Sequence, residues 1–220
     1  MKMNIIYLLL LTLVSFSCEN DHLCIKGDGR VRTYELDLGA FDQVSLVGPI
    51  DLVIIQDEQA SLKVMAEAQL MDVLDYRLSQ NELRIGLEGN VRCLETNKGI
   101  VVVATLPNIR KVNSDGLSTV RSEGSLDLEE LVINSYGEFH LELSGEIDRQ
   151  VLYGEGNVEV NNFGLLTNET VIEIAGRGDY EVFCTEELSI DVEGAARVDY
   201  KGNPMISQHV EGLLDLNDAN

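Results

Sequence analysis

Three glutamates in the second half of the chain are the residues whose type and spacing best suit acid–base chemistry. Glu142, Glu159 and Glu181 are spaced like successive rungs of a repeat, and His140 and Arg197 flank them. Stacked carboxylates repel one another, which raises the pKa of one of them or attracts a cation. Polysaccharide lyases and hydrolases use such outward clusters. The chain has 38 acidic residues, however, so such columns also arise by chance. We therefore expect an outward acidic patch with no catalytic, metal or cofactor role.

The element that must position these carboxylates is a short repeat between Val112 and Val210. Each copy is an alternating apolar segment that runs into a glycine, with an aliphatic residue four positions later. The marker glycines are Gly116, Gly137, Gly156, Gly178 and Gly194, with a degraded copy at Gly212, and their spacings are 21, 19, 22, 16 and 18 residues. A recurrence of about twenty residues in strand-type sequence predicts an all-β parallel β-helix, or β-solenoid, with one coil per repeat. An antiparallel sandwich with regular turns is the alternative.

Aligning the copies on these glycines predicts which side chains face inward. Alternate residues of a strand point to opposite faces, and the position four after each marker glycine is always aliphatic. This predicted interior column is Val120, Leu141, Val160, Val182 and Val198. The preceding position is polar and is predicted to face water, at Thr119, His140, Glu159, Glu181 and Arg197. A single coil cannot cover its own apolar column, so each coil needs the coils above and below it.

The first 18 residues have the composition of a secretion signal. Lys2 precedes an apolar run from Ile5 to Val14, which is too short to span a bilayer. The run ends at Ser17-Cys18, which resembles the end of a bacterial lipoprotein signal. We therefore expect lipidation of Cys18 and an outer-membrane lipoprotein, either periplasmic or surface-exposed. The following Glu19-Asn20-Asp21 resembles the surface-export signals of Bacteroidetes-type lipoproteins.

Three cysteines remain after Cys18, namely Cys24, Cys93 and Cys184. Export permits a disulfide, but three cysteines leave one unpaired. Cys184 occupies a position where other repeats carry partly buried residues, which favours a free thiol there. We therefore expect Cys24 and Cys93 to pair. The cysteine and histidine spacings do not match a zinc site.

The expected layout has four segments. Residues 1–18 form the lipoprotein signal, residues 19–33 a polar tether, residues 34–216 the β-solenoid, and residues 217–220 a frayed tail. The only helix-like spacing is in Glu67 to Tyr76, so the sequence predicts one short helix in the N-terminal half.

Several motifs in order make the sequence similar to a known family, the putative auto-transporter adhesin head GIN domain. They are Phe41 to Gln56 with its Val-Gly-Pro-Ile-Asp-Leu centre, Asn81 to Ile85, Thr105 to Ile109, the serial glycine repeats, and Tyr200 to Pro204. The resemblance covers roughly Tyr34 to Leu216. It implies a right-handed β-helix in the cell envelope of Bacteroidetes-like bacteria, and it brings no catalytic residues.

Composition narrows the function further. The formal net charge of −22 opposes binding to nucleic acid, which is itself an anion. We expect a non-catalytic binding module that presents a solenoid face to a glycan or protein partner. The tyrosines nearest the coil corners are the best candidates for a glycan contact: Tyr136, Tyr153, Tyr180 and Tyr200. The alternatives are a polysaccharide-active β-helix enzyme, or a structural lipoprotein that acts as a homo-oligomer through self-assembly.

Overall fold

The computed structural model describes residues 23–89 and 91–220. Within these segments the chain forms one short helix, α1 (Ala68–Met71), and sixteen strands. The strands are β1 (Leu23–Lys26), β2 (Val31–Leu36), β3 (Gln43–Val47), β4 (Ile50–Gln56), β5 (Ser61–Glu67), β6 (Leu74–Ser79), β7 (Glu82–Leu87), β8 (Val91–Glu95), β9 (Ile100–Leu106), β10 (Lys111–Ser122), β11 (Leu126–Glu142), β12 (Gly145–Ile174), β13 (Arg177–Val192), β14 (Ala195–Lys201), β15 (Met205–Val210) and β16 (Leu213–Asp218). No helix in the described segments is long and apolar enough to cross a membrane.

The predicted β-solenoid is confirmed. The chain makes about 6 turns with ~19-residue coils. From β10 to β16 every strand pairing is parallel, and each strand pairs with the strand of the next coil. The alternating apolar residues of each coil point inward, where the aliphatic side chains of successive coils form one continuous core. Each coil therefore buries its apolar columns only because its neighbours cover them.

The N-terminal half closes one end of this stack with mixed pairing. β3 and β4 pair in parallel with β10 and extend the coils. β5 then pairs antiparallel with both β2 and β9, and β6 pairs antiparallel with β7. This end of the solenoid is consequently covered by strands that do not follow the coil path.

Three local expectations differ from the structure. The predicted tether contains β1 and the start of β2, because β1 pairs in parallel with β8. The predicted helix shrinks to α1, since from Leu74 onward the chain pairs with β7 and sheet pairing overrides the helical spacing. The C-terminal residues, predicted to be frayed, are hydrogen-bonded to the preceding coil. Asn220 Nδ2 donates to the Gly202 carbonyl at 2.8 Å, and Asn220 Oδ1 accepts from Gly202 N at 2.9 Å.

A stack of glycines marks one corner of every coil, but one member differs from the sequence alignment. A side chain on Gly176 would overlap the backbone of Gly156, and one on Gly194 would overlap Gly176. Gly176, and not Gly178, is therefore the corner glycine of its coil. The stacked glycines are Gly48, Gly116, Gly137, Gly156, Gly176, Gly194 and Gly212. Their spacings from Gly116 onward become 21, 19, 20, 18 and 18 residues, which is more even than the predicted series.

This two-residue correction changes both predicted columns. Tyr180 pairs with Val160 and Val198, so it takes the interior place that was assigned to Val182. Val182 is also buried, at 1% exposure, but it pairs with Asn162 and Tyr200 in the adjacent inward column. The corrected interior column is Leu52, Val120, Leu141, Val160, Tyr180, Val198 and Leu216. In the outward column Asp179 replaces Glu181, which gives the order Thr119, His140, Glu159, Asp179, Arg197 and Asp215.

Candidate functional site

The predicted acidic patch lies on one outward face of the coils, which we call the mixed-charge face. It consists of the outward side chains of residues 117–121, 138–142, 157–161, 177–181 and 195–199. Glu159 follows His140 in its column, and His140 Nδ1 lies 3.6 Å from Glu159 Oε2. Asp179 and then Arg197 continue the same column. Parallel strands place these residues on successive rungs about 4.8 Å apart.

The structure does not stack the three predicted glutamates on one another. Glu142 and Glu181 belong to the neighbouring outward column, two residues along the strand from the column of Glu159. Asn161 pairs with Glu181, and its Nδ2 donates to Glu159 Oε1 at 3.1 Å. The acids are therefore staggered with an amide between them, so the repulsion expected from a direct stack is reduced. In the described part of the chain no group of three or more acidic, histidine or cysteine side chains is placed to hold a metal ion.

The mixed-charge face contains an ion pair between an arginine and an aspartate. Arg197 Nη2 lies 2.9 Å from Asp199 Oδ2. The hydrogen bond from Arg197, together with one from Asn217, holds the pKa of Asp199 below its usual value. A carboxyl group held in its charged form has no proton to donate at neutral pH and is a weak base, so this part of the face is suited to ion pairing and not to acid–base catalysis. An open concavity of about 460 Å³ crosses the face, and its lining includes His140, Glu159, Arg177 and Asp179.

A second outward face carries the aromatic residues, and we call it the tyrosine face. It consists of the outward side chains of residues 113–115, 134–136, 153–155, 173–175 and 191–193. The rings of Tyr136 and Tyr153 lie on successive coils with their centroids 5.6 Å apart and their planes tilted by 52°. Tyr136 is 42% exposed. Of the four tyrosines proposed from sequence, the structure brings these two together, buries Tyr180 and leaves Tyr200 partly buried.

Amides and carboxylates surround the tyrosine pair. Asn134 Nδ2 donates to Asn113 Oδ1 at 2.9 Å, which forms a short amide ladder beside the rings. Partial burial, and then the negative charge of Glu155, raise the pKa of the Tyr153 hydroxyl. Tyr153 is therefore neutral at physiological pH, with its hydroxyl directed to the Glu155 carboxylate.

Sequence reasoning missed a concavity of about 150 Å³ beside Tyr153. It is lined by Tyr153, Glu173, Ile174, Ala175, Asp191 and Glu193. Glu173 pairs with Asp191 on the next coil. Two residues along the strand, in the neighbouring outward column, the side chain of Ala175 is small and leaves space. The uneven spacings of 22 and 16 residues between the marker glycines could have revealed this concavity. More even spacing requires Gly176 as the marker, and that choice aligns the small Ala175 with the long Glu155.

The cysteines fall into three groups. Cys24 and Cys93, on the paired strands β1 and β8, are joined by a disulfide with a sequence separation of 69. Cys184 is free and fully buried, and its Sγ lies 3.3 Å from the carbonyl oxygen of Asn168 and 3.0 Å from that of Glu187, either of which can accept its single S–H. Cys18, the predicted lipidation site, lies outside the described residues.

Several solved structures share the fold. A putative adhesin from Bacteroides fragilis aligns with a TM-score of 0.68 and 19% sequence identity, covering 87% of this chain and 99% of that chain. A putative adhesin from Parabacteroides merdae aligns with a TM-score of 0.57 and 18% identity, covering 90% and 99%. A protein described as a putative lipid binding protein, from Parabacteroides distasonis, aligns with a TM-score of 0.57 and 18% identity, covering 90% and 100%. Identity at this level demonstrates a common fold and nothing finer.

The sequence comparisons identify the family. A search among curated proteins finds no match. Residues 40–204, which span the N-terminal strands and most of the coils, match the family described as "Putative auto-transporter adhesin, head GIN domain". The chain belongs to this family.

Proposed function

We propose that the protein is a non-catalytic adhesin of the cell envelope, held at the outer membrane by a lipid on Cys18, that binds a glycan or protein partner across the tyrosine face. The observation that carries this proposal is the Tyr136–Tyr153 pair on successive coils, in which Tyr136 is exposed and Tyr153 is half-buried. Tyrosine rings supply a large contact area at little cost in conformational entropy, and their hydroxyl groups add hydrogen bonds. The parallel strands below hold both rings in a fixed relation, which favours recognition without rearrangement.

The family description as an adhesin supports a binding role, and so does the shape of the tyrosine face. The amide ladder of Asn113 and Asn134 lies beside the rings. Sugar hydroxyls and peptide groups both use amide partners, so the geometry suits either class of ligand. The test must therefore distinguish the two classes.

Adhesion of cells displaying the full chain to receptor-coated surfaces is the test of this function. Replacing both Tyr136 and Tyr153 by Ala should abolish adhesion, whereas Tyr76→Ala, which removes an exposed tyrosine from β6, should leave it unchanged. Periodate treatment of the target surface removes glycan receptors, and protease treatment removes protein receptors. Undiminished adhesion by the double variant would reject the tyrosine face as the binding surface.

The anchor is tested separately. Cys18→Ala should abolish fatty-acid labelling and release the protein from the membrane fraction. Labelling that persists in this variant would reject lipidation at Cys18.

The proposed absence of catalysis is tested against a panel of polysaccharides, where we expect no turnover. Turnover that Glu159→Gln or Glu181→Gln abolishes would favour the enzyme alternative.

The last described coil favours a second candidate function, self-assembly. Met205 and Leu213 are 76% and 74% exposed, and Ile206 and Val210 are also exposed on β15. These strands present the same coil surface that every earlier coil buries against its neighbour. A second copy packing on this surface would continue the stack. Sedimentation velocity at micromolar concentrations should then detect a dimer that Ile206→Lys and Val210→Lys dissociate, because these two residues pair with the buried Leu188 and Val192. A monomer throughout would reject self-assembly.

A further inference from the structure

The concavity beside Tyr153 is lined by aromatic, acidic and aliphatic residues. Its lining combines the aromatic residue Tyr153 with the acidic residues Glu173, Asp191 and Glu193. Ala175 opens the space, because the equivalent outward position on the neighbouring coils is filled by the long side chains of Glu155 and Glu193. The site is thus more than a set of surface acids, since it combines an aromatic wall with a depression at a fixed place on the coil.

The carboxylates of this depression form no ion pair within the part of the chain that the structure describes, and the next residue in their column is His209, which pairs with Asp191 on the next coil. Among the described residues, none of the ion pairs involves Glu173, Asp191 or Glu193. The outward positions of the tyrosine face carry Asp115 and Glu155 as further acids and no lysine or arginine. On the mixed-charge face, by contrast, Asp199 is paired with Arg197 and Glu159 lies beside His140. The depression is therefore surrounded mainly by acidic side chains, and the one nearby imidazole, that of His209, lies 3.5 Å from Glu211 Oε1.

A cation is the group that this combination attracts. An ammonium or guanidinium group over the face of a tyrosine ring is attracted by the ring quadrupole. Glu173 and Asp191 lie on successive rungs about 4.8 Å apart, so one guanidinium group can contact both carboxylates. Tyr136, 5.6 Å from Tyr153 between ring centroids, packs behind the ring and restrains it. The negative charge that raises the Tyr153 pKa acts in the same direction, because it favours a positive neighbour.

We propose that the concavity is a socket for an arginine or lysine side chain of a basic polypeptide partner. This inference rests on the proposed function and names the chemistry of its partner. The occupant is a polypeptide because acids extend on the same face from Asp115 to Glu193, well beyond the reach of one small amine. A basic segment lying across the coils would place one side chain in the socket and others beside the remaining carboxylates.

The test uses the full chain purified in detergent, with octa-arginine as the probe and octa-citrulline as its uncharged isostere. Fluorescence anisotropy at physiological salt should detect binding of octa-arginine only. Ala175→Leu fills the depression and Tyr153→Leu removes the ring, and neither changes the charge. We expect each to weaken binding about tenfold, whereas Tyr76→Leu on β6 and Ala175→Ser in the depression should bind like the parent chain. Circular dichroism and melting temperature confirm that each variant is folded.

Two outcomes would overturn the socket. Equal affinity of the parent, Ala175→Leu and Tyr153→Leu would mean that only general charge attraction is at work. Spermine binding as tightly as octa-arginine, and competing with it fully, would mean that small amines are the ligand and not a polypeptide. Adhesion assays with Ala175→Leu separate this inference from the proposed function. If peptide binding is absent in the parent chain while adhesion still requires Tyr136 and Tyr153, only the socket fails.

Discussion

The ring of Tyr180 occupies the space that a side chain at Gly178 would fill. Any side chain at position 178 would overlap that ring. Tyr180 is only 2% exposed, although its coil neighbours in the interior column are Val160 and Val198. An aromatic residue therefore fits into an aliphatic column because the residue two positions earlier has no side chain. The Tyr180 hydroxyl is buried, has no hydrogen-bond partner among the residues that the structure describes, and has a pKa that burial raises well above its usual value.

We expect Tyr180→Phe to leave the fold intact and to increase its stability by about 1 kcal/mol or leave it unchanged, because the removed hydroxyl makes no hydrogen bond. The variant should also resist alkali better. An unfolded tyrosine loses its proton near pH 10, whereas folded Tyr180 retains it, so stability is complete below about pH 10 and falls as pH rises above that value. Urea denaturation at neutral and alkaline pH measures both effects. A parent chain and variant with the same alkaline loss of stability would contradict the burial of this hydroxyl.

The glycine stack makes a sharper prediction about sterics. Gly176→Ala places a Cβ against the Gly156 backbone, which cannot move without disturbing the coil above. We expect a loss of at least about 2 kcal/mol in the free energy of unfolding. Gly164→Ala is the matched control, because its Cβ would lie no closer than 3.5 Å to any neighbour, at Ser144. Thermal denaturation of both variants checks this, and equal melting temperatures would refute the stack.

The interior column predicts a contrast between adjacent residues. Val160 is 1% exposed while Glu159 is exposed on the mixed-charge face. Val160→Asp buries a carboxylate without a partner, which costs several kcal/mol. That is a large share of a domain's usual stability of about 5–15 kcal/mol. Glu159→Asp keeps the charge in water and should change stability by less than about 0.5 kcal/mol. Similar melting temperatures for the two variants would mean that the coil register is wrong.

The disulfide should stabilise the closed end of the solenoid. Because Cys24 and Cys93 are 69 residues apart in sequence, loop-closure entropy gives a contribution of about 4 kcal/mol. Replacing both cysteines by serine should therefore lower the melting temperature. Added reductant should lower that of the parent chain to the same level and leave the double variant unaffected. A parent chain insensitive to reductant under unfolding conditions would contradict the bond.

The sequence by itself determined the architecture. Alternating apolar residues specify strands, and glycines that recur at about twenty residues specify coils, since both signals are local and repeat many times. The preference for pairing Cys24 with Cys93 also came from residue positions alone. The sequence predicted the short helix but made it too long, because from Leu74 onward the chain forms β6, which pairs with β7.

Only the tertiary structure decided the register of one coil, and with it the site. The segment Ala175-Gly176-Arg177-Gly178 offers two glycines that are two residues apart. A shift of two residues preserves which side chains point inward, so the alternating pattern fits both choices equally well. Stacking against Gly156 and the volume of the Tyr180 ring select Gly176. That selection places Ala175 beside Tyr153 and separates Glu181 from Glu159, because contacts between coils depend on residues far apart in the sequence.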